Sequence, residues 1–265
     1  MGIINYQPEL SALVATKGHP YPKDAFSECL DSLAGITCTV VEQPASQQFL
    51  DPALAAPYDV LVFYDMPGID FSEQPPTATR PPERLQENMN RLLEAGKGMV
   101  FLHHALASWP MWPEFGEIIG GRFFYNPQDC RGRPVLDSGY RHEVTHNISL
   151  ASPDHPVTHG LPENFQLTDE LYLCEIFDDS VHPLLTSNYP FIRENFYSAH
   201  HAVTGKMYCN EDWYPPEGSS LVGWTRHHKN SRIVYLQPGD GAETLGDVHY
   251  RLLLANAIRW AANNA

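Results

Sequence analysis

The chain has 265 residues, of which 43% are hydrophobic and 11% aromatic, enough for a globular protein with a substantial core. Its 32 acidic residues outnumber 17 basic ones, which gives a formal net charge of −15, and no cluster of Lys and Arg occurs. This balance excludes the basic face that nucleic-acid binding needs and disfavours binding to acidic membranes. No apolar run reaches the ~18–20 residues of a membrane span.

The cysteines and the first residues bear on the cellular compartment. Five cysteines are scattered without a CxxC motif, which is typical of free thiols in a reducing compartment. The opening MGIINYQPEL lacks the basic and apolar regions of a secretory signal. We therefore expect a cytosolic protein. No internal repeat or clear linker divides the chain, so we predict one domain over residues 1–265.

Strands and helices alternate along the first part of the chain. Apolar runs rich in β-branched residues predict buried strands, and segments with apolar residues at helical spacing predict helices. In chain order these are a strand at 10–16, a helix at 23–35, a strand at 36–43, helical turns at 51–56, a strand at 58–65, a helix at 82–96 and a strand at 98–104. Such alternation, with near-continuous apolar strands, predicts a parallel sheet covered by helices on both faces.

The second part of the chain is less regular. Strand-like pieces occur at 142–151 and 182–188, and the segments 220–226 and 231–241 read as a hairpin or as consecutive strands. A helix at 249–264 closes the chain. We predict an α/β fold whose mostly parallel sheet carries an irregular β-containing insertion in its second half.

Ligands of open parallel sheets bind beyond the carboxyl ends of the strands, so the residues that follow each predicted strand are candidates for a site. They are His19 and Tyr21 after the first strand, Asp65 after the third, His103 and His104 after the fourth, and Asp240 after the last. We expect His19, Asp65, His104 and Asp240 to lie on one rim.

The pair His103-His104 poses a question of orientation. Successive side chains of an extended strand point to opposite faces, so a regular strand delivers only one imidazole to a given pocket. We expect His104 at the site and His103 in packing. A sharp turn that brings both rings to the site is the alternative.

Two further motifs contain histidines. The segment His142–His146 matches the zinc-protease pattern HExxH, which works only on a helix, whereas its period-two alternation predicts a strand, so we interpret the match as accidental. The loop of residues 154–160 contains His155, and Asp169 and Glu170 follow it. A histidine and carboxylates on ordered loops suit proton transfer or a divalent ion, and hydrogen bonds that only stabilise the loop are the alternative.

Several of these stretches together resemble one known family. They are HHA-x3-WP-x-W from 103, GGRFF from 120, DHPVTHGLP-x-NF-x3-DE-x-Y from 154, SRIVYLQPGDGAET from 231 and IRWAA from 258. The chain resembles the trehalose-utilisation (ThuA-like) proteins from about residue 19 to 260. The resemblance implies a flavodoxin-like α/β fold of the class I glutamine amidotransferase-like superfamily.

The resemblance also implies a place for the chemistry. Amidotransferases carry a nucleophilic cysteine at the turn after the fourth strand, but this chain has Phe101-Leu-His-His-Ala105 there, so we expect no glutaminase activity. The family is associated with carbohydrates, including 3-keto sugars, whose α-proton a histidine or carboxylate can remove. The candidate catalytic residues are His104, Asp65, His155, Asp169 and Glu170. The candidate substrate contacts are His19, Tyr21, His103, Trp109, Tyr172 and Asp240.

One departure and three alternatives stay open. The resemblance leads us to expect Gly-His after the last strand, and this chain has Gly239-Asp240. The first hypothesis is an enzyme of the isomerase, epimerase or lyase type acting on a small-molecule sugar. The others are a non-catalytic sugar-binding or regulatory module and a metal-dependent hydrolase. The sequence leaves open a divalent ion, Zn or Mn, and a homo-oligomer.

Overall fold

The structure is a computed structural model and describes residues 7–262. Its longer strands and helices, in chain order, are β1 Leu10–Lys17, α1 Lys23–Asp31, β2 Ile36–Glu42, β3 Val60–Asp65, α2 Glu83–Glu94, β4 Gly98–Leu102, α3 Pro113–Ile119, β5 Gly139–Leu150, β6 Asn164–Leu173, β7 His182–Ser187, β8 Leu221–His228, β9 Ser231–Leu236 and α4 Val248–Ala262. Shorter helical segments are Ser46–Phe49, Pro52–Ala55, His103–Ala107, Pro156–Thr158, Arg193–Asn195, Ala199–Val203 and Ala242–Gly246. Short strands pair as Ile69–Asp70 with Thr77–Ala78, Gly121–Arg122 with Glu175–Ile176, and Gln128–Cys130 with Arg133–Val135.

One mixed sheet contains all nine longer strands. Their order is β6-β5-β7-β8-β9-β4-β3-β1-β2, and the short strand Tyr197–Ser198 pairs with β5. Pairing is parallel from β9 to β2 and antiparallel from β6 to β9. This confirms the predicted α/β fold, with its parallel first half and β-rich second half.

Helices cover both faces of the parallel half. The residues of β3 and β4 are all buried, which explains their continuous apolar sequences. Alternate strand residues enter different cores: Val62 packs with Phe26 of α1 and Leu254 of α4, whereas Phe101 packs with Leu92 of α2. None of the helices within residues 7–262 is long and apolar enough to span a membrane.

The predicted elements agree with the structure except at some ends and in one strand. The hairpin of β8 and β9 and the extended conformation of residues 142–150 are confirmed. The helix predicted at 23–35 ends at Asp31, and the strand predicted at 98–104 ends at Leu102. The expectation that Asp169 and Glu170 lie on a loop is wrong, because both belong to β6.

The edge strand β6 lies close to the end of β9, although three strands separate them in the sheet. The side chain of Gln237, just beyond β9, joins the two. Its Oε1 accepts a hydrogen bond from the backbone N–H of Tyr172 at 3.0 Å, and its Nε2 donates to the carbonyl of Tyr172 at 3.4 Å. This amide contact brings the carboxylates of β6 to the carboxyl ends of the parallel strands.

Candidate active site

A sharp turn after β4 brings two imidazoles to one place. His103 has a φ of +42°, in the left-handed region that side chains other than glycine rarely adopt, and it begins the helical turn His103–Ala107. The rings of His103 and His104 are 5.6 Å apart, and both are fully buried. The expectation that His103 only packs is therefore wrong, because the turn breaks the strand alternation on which it rested.

His103 lies among acidic side chains. Its Nδ1 donates to the carbonyl of Gln237 at 2.7 Å, so this nitrogen carries a proton. Its Nε2 lies 2.9 Å from Oε2 of Glu170, 2.8 Å from the hydroxyl of Tyr172 and 3.5 Å from Oδ1 of Asp240. Burial lowers the pKa of His103, but the carboxylates of Asp240 and Glu170 outweigh it and raise the pKa to about 9.

Glu170 forms the other half of this buried pair. Burial would raise its pKa, but the hydrogen bond and charge of His103 lower it below its usual value. The two residues therefore form an imidazolium–carboxylate pair at neutral pH. Burial, with the Glu170 charge, raises the pKa of Tyr172 well above its usual range, so its phenol keeps its proton.

Glu170 also orients a second histidine, His142. Its Oε1 lies 3.1 Å from Nδ1 of His142, whose side chain is 42% exposed. A carboxylate at Nδ1 holds the proton there and leaves Nε2 free as a base, the arrangement of catalytic histidine–carboxylate pairs. Sequence reasoning missed His142, because its HExxH context was interpreted as accidental.

A bulge in β5 explains why His142 and His146 separate. The register with β6 shifts between Arg141 and Val144, and Glu143 has a φ of +53°. The extra residue reverses the faces of the strand beyond it. His142 therefore reaches Glu170, whereas His146 is buried with its Nδ1 2.8 Å from the Ser187 hydroxyl. The two histidines do not form a zinc-protease site.

His104 is held in the opposite charge state from His103. Its Nε2 donates to the carbonyl of Tyr64 at 3.2 Å, and its Nδ1 has no hydrogen-bond partner among residues 7–262. Its ring lies between those of Tyr64 and His19, at 4.5 Å and 4.9 Å. Burial and the charge of His103 lower the pKa of His104 well below its usual value, and the same two causes lower the pKa of His19. Both rings are neutral at pH 7.

Asp169 fixes the loop that carries Asp240. Its carboxylate accepts backbone hydrogen bonds from Gly239 at 2.6 Å, Asp240 at 3.1 Å and Gly241 at 2.9 Å. Gly239 has a φ of +130°, and a Cβ there would collide with the Tyr250 hydroxyl. Asp169 therefore holds the loop by its backbone, and its side chain points to these amides.

A cavity of about 420 Å³ opens beside these groups. Its polar lining includes His19, His142, Glu170 and Tyr172. Its aromatic lining includes Phe71, Phe123, Tyr125 and Tyr140. Apolar walls with a few convergent polar groups are typical of small-ligand sites, and the volume lies in their range.

Three of the predicted rim residues meet at the carboxyl ends of the parallel strands, and the fourth points elsewhere. His19, His104 and Asp240 have ligand atoms within 4.8 Å of one another. Asp65 ends β3 as predicted, but its carboxylate accepts from Nε2 of Gln43 at 2.6 Å and does not join this cluster. Burial raises the pKa of Asp65 to about 7.

Of the predicted residues, His19, Glu170 and Tyr172 line the cavity, and Tyr21, Trp109 and His155 lie away from it. Tyr21 packs against Phe26 and Tyr64. Trp109 is buried, and its backbone N–H donates to the carbonyl of Pro67. His155 accepts from the N–H of Val157, and its ring contacts His182 and Trp260 on another part of the surface. The residues 154–160 therefore form a locally hydrogen-bonded loop away from the site.

Comparison with known proteins agrees with this fold. A solved ThuA-like protein from Parabacteroides merdae matches with a TM-score of 0.67 and 18% sequence identity, over 97% of this chain and 90% of that one. A second, from Bacteroides uniformis, matches with a TM-score of 0.63 and 20% identity, over 98% of this chain and 94% of that one. A cytoplasmic protein from Salmonella typhimurium matches with a TM-score of 0.55 and 13% identity, over 95% of this chain and 98% of that one. At these identities the similarity shows the fold alone.

The sequence comparison identifies the family. No curated protein matches the chain. The family model described as ThuA, trehalose utilisation, matches residues 11–261, nearly the whole chain. The chain therefore belongs to the ThuA family of trehalose utilisation.

Proposed function

We propose that the chain is an enzyme of carbohydrate metabolism that moves a proton on a keto sugar, as an isomerase, epimerase or lyase. The observation that carries this is the pairing of two histidines through one carboxylate at the cavity. Glu170 contacts His142 on one oxygen and His103 on the other. The arrangement offers a base and an acid about one sugar carbon, as enolisation requires.

The base in this proposal is Nε2 of His142. The Glu170 carboxylate fixes the proton on Nδ1, so Nε2 holds the lone pair. His142 lines the cavity and is partly exposed, which gives it access to a bound sugar. It would take the proton from the carbon next to the ketone, and the electron pair of that C–H bond would move toward the carbonyl oxygen.

The acid is the hydroxyl of Tyr172. Its oxygen lies 2.8 Å from Nε2 of His103, and Tyr172 lines the cavity. Because Nε2 of His103 is protonated in the ion pair with Glu170, the phenol cannot donate to this nitrogen, and its hydrogen can turn to the carbonyl oxygen of the sugar. A donor in place before reaction stabilises the enolate as it forms. Return of the proton to the opposite face of the same carbon gives an epimer. Its delivery to the former carbonyl carbon, with release of the hydroxyl proton on the adjacent carbon as that oxygen becomes the new carbonyl, gives an isomer. If the C–O bond at the next carbon breaks instead, the oxygen group leaves with the electron pair, takes up a proton, and an unsaturated lyase product remains.

The turn after β4 argues against amidotransferase chemistry. Its strained position holds His103, whose two ring nitrogens are both occupied by hydrogen bonds. An imidazole in that state cannot replace a cysteine nucleophile. A non-catalytic sugar-binding module is the alternative that the test below separates.

The test uses a 3-keto-glucoside in deuterated water. We expect the enzyme to exchange the proton next to the ketone for deuterium faster than buffer does. Glu170→Gln removes the charge that links both histidines and should slow exchange by about 10²–10⁴. The matched control, Glu163→Gln, changes an exposed glutamate just before β6 and should leave exchange unchanged. Binding of the sugar without exchange would contradict the enzyme and favour the binding module.

We also propose that the protein works in the cytosol on a small-molecule carbohydrate, without nucleic-acid or membrane partners. The acidic charge of −15 and the five free cysteines support this proposal. Retention of full activity in a soluble, reduced extract after removal of membranes and nucleic acid is the expected result.

A further inference from the structure

Two histidines and a carboxylate converge next to the proposed acid and base. His19 follows β1, His104 follows β4 and Asp240 follows β9, three strands that run parallel. One ligand atom from each lies within 4.8 Å of the other two. None of the three is needed as the base or the acid of the proposed reaction.

The hydrogen bonds of the two histidines leave one lone pair free on each ring. His104 donates from Nε2 to the carbonyl of Tyr64, and His19 donates from Nδ1 to the carbonyl of Pro20 at 2.8 Å. Histidines that bind metals usually donate their other ring N–H to a backbone carbonyl or carboxylate in this way. In these tautomers Nδ1 of His104 and Nε2 of His19 keep the lone pair that a metal ion needs.

The unpartnered Nδ1 of His104 is a second observation in favour of a bound ligand, separate from the proximity of His19, His104 and Asp240. His104 is fully buried, and its Nδ1 has no hydrogen-bond partner among the residues that the structure describes. A buried polar atom without a partner costs about 1–3 kcal/mol, so such atoms are rare unless something binds them. A second acidic set, His103 with Glu170 and Asp240, lacks this feature, because both nitrogens of His103 are already occupied.

We propose that His19, His104 and Asp240 bind one divalent transition-metal ion, with zinc as the best match to the ligands. Two imidazole nitrogens and one carboxylate oxygen suit zinc, and three protein ligands leave a fourth position open. Ligands in a tetrahedral zinc site are ~3.3 Å apart, given bonds of ~2.0–2.1 Å. Asp240, 25% exposed on its loop, has the room to close the remaining gap.

Asp240 has a role in this site as the acidic ligand. A carboxylate there supplies a metal ligand at the position where the resemblance leads us to expect a histidine. His19 lines the cavity, so the open position of the ion would face a bound sugar. A metal ion held there would supply a Lewis acid for an oxygen of the sugar. The inference does not depend on the sugar's identity or on turnover.

The test measures zinc directly. The full chain, purified without a histidine tag and stripped with a chelator, is titrated with zinc chloride, and bound metal is counted by elemental analysis. We expect one zinc per chain and a higher melting temperature with zinc. Asp240→Ala and His19→Gln, both at partly exposed positions, should each weaken binding by at least about 100-fold, more than the loss of an outer partner costs.

His155→Gln is the matched control, because His155 and His182 form another histidine pair with rings 5.5 Å apart. This variant should bind zinc with an affinity within about twofold of that of the unmodified protein. Absence of bound zinc in the unmodified protein would overturn the inference. So would the opposite pattern among the variants, in which His155→Gln loses zinc and Asp240→Ala keeps it. Zinc binding without proton exchange leaves this site standing and contradicts the proposed reaction. Proton exchange by a protein that binds no zinc in the titration would leave the proposed reaction standing and overturn this site.

Discussion

The Nε2 atom of His103 lies 2.9 Å from Oε2 of Glu170, and both side chains are almost completely buried. Removing one partner of a buried ion pair leaves the other charge without compensation. Glu170→Gln should therefore lower the free energy of unfolding by roughly 3–5 kcal/mol at pH 7. Denaturant unfolding gives this value, with Glu163→Gln as the exposed control. Equal stability of the two variants would contradict the ion pair.

The loop of Asp240 depends on a glycine. Gly239→Ala places a Cβ against the Tyr250 hydroxyl and forces alanine to a φ of +130°. Backbone strain of this kind costs about 1–3 kcal/mol, and the close contact adds to it. Gly246→Ala is the control, since no atom lies within 4 Å of its Cβ, and it should change stability by less than about 0.5 kcal/mol. Thermal melts that do not separate the two variants would show that this loop tolerates a side chain.

Asp65 makes stability depend on pH. Its pKa in the folded chain is about 7, against about 3.9 when unfolded. Between these values the folded state keeps a proton that the unfolded state releases, so this group lowers stability as pH rises from 4 to 7. Asp65→Asn should therefore stabilise the protein more at pH 8 than at pH 4. The difference between the two pH values is at most about 4 kcal/mol, because the pKa differs by about 3 between the folded and unfolded chain and each pKa unit is worth 1.36 kcal/mol. Asp129→Asn, at an exposed position, controls for the loss of one charge. A gain at Asp65 that is the same at both pH values would refute the burial of an acidic group there.

The parallel half of the fold was predictable because its information is local. Continuous apolar runs identify β3 and β4, and the rim follows from where those runs end. The ends of the runs therefore predict that His19, His104 and Asp240 lie together. They do not predict where the side chain of Asp65 points, because the last residue of a strand can face either side of the sheet.

The rest of the site depends on contacts that local patterns do not contain. Glu170 reaches His103 because β6 lies against the end of β9, a contact between Tyr172 and Gln237 across 65 positions of sequence. His142 reaches Glu170 because one bulged residue reverses the faces of β5. The sequence signal for His142 was the HExxH match that begins at this residue, which the period-two pattern of the strand led us to interpret as accidental. His155 lies away from the cavity, and its loop did not reveal this because Pro and Gly signal a fixed conformation wherever a loop lies.

In the proposed reaction His142 removes a proton from a keto sugar. Two histidine variants test this role most directly. Deuterium exchange next to the ketone of a 3-keto-glucoside is measured for the unmodified protein, for His142→Gln and for His159→Gln, an exposed histidine on the 154–160 loop. Sugar affinity and melting temperature are measured alongside. The account predicts a fall of about 10²–10⁴ in exchange for His142→Gln at nearly unchanged stability, and no change for His159→Gln. Exchange in His142→Gln at the rate of the unmodified protein would contradict it.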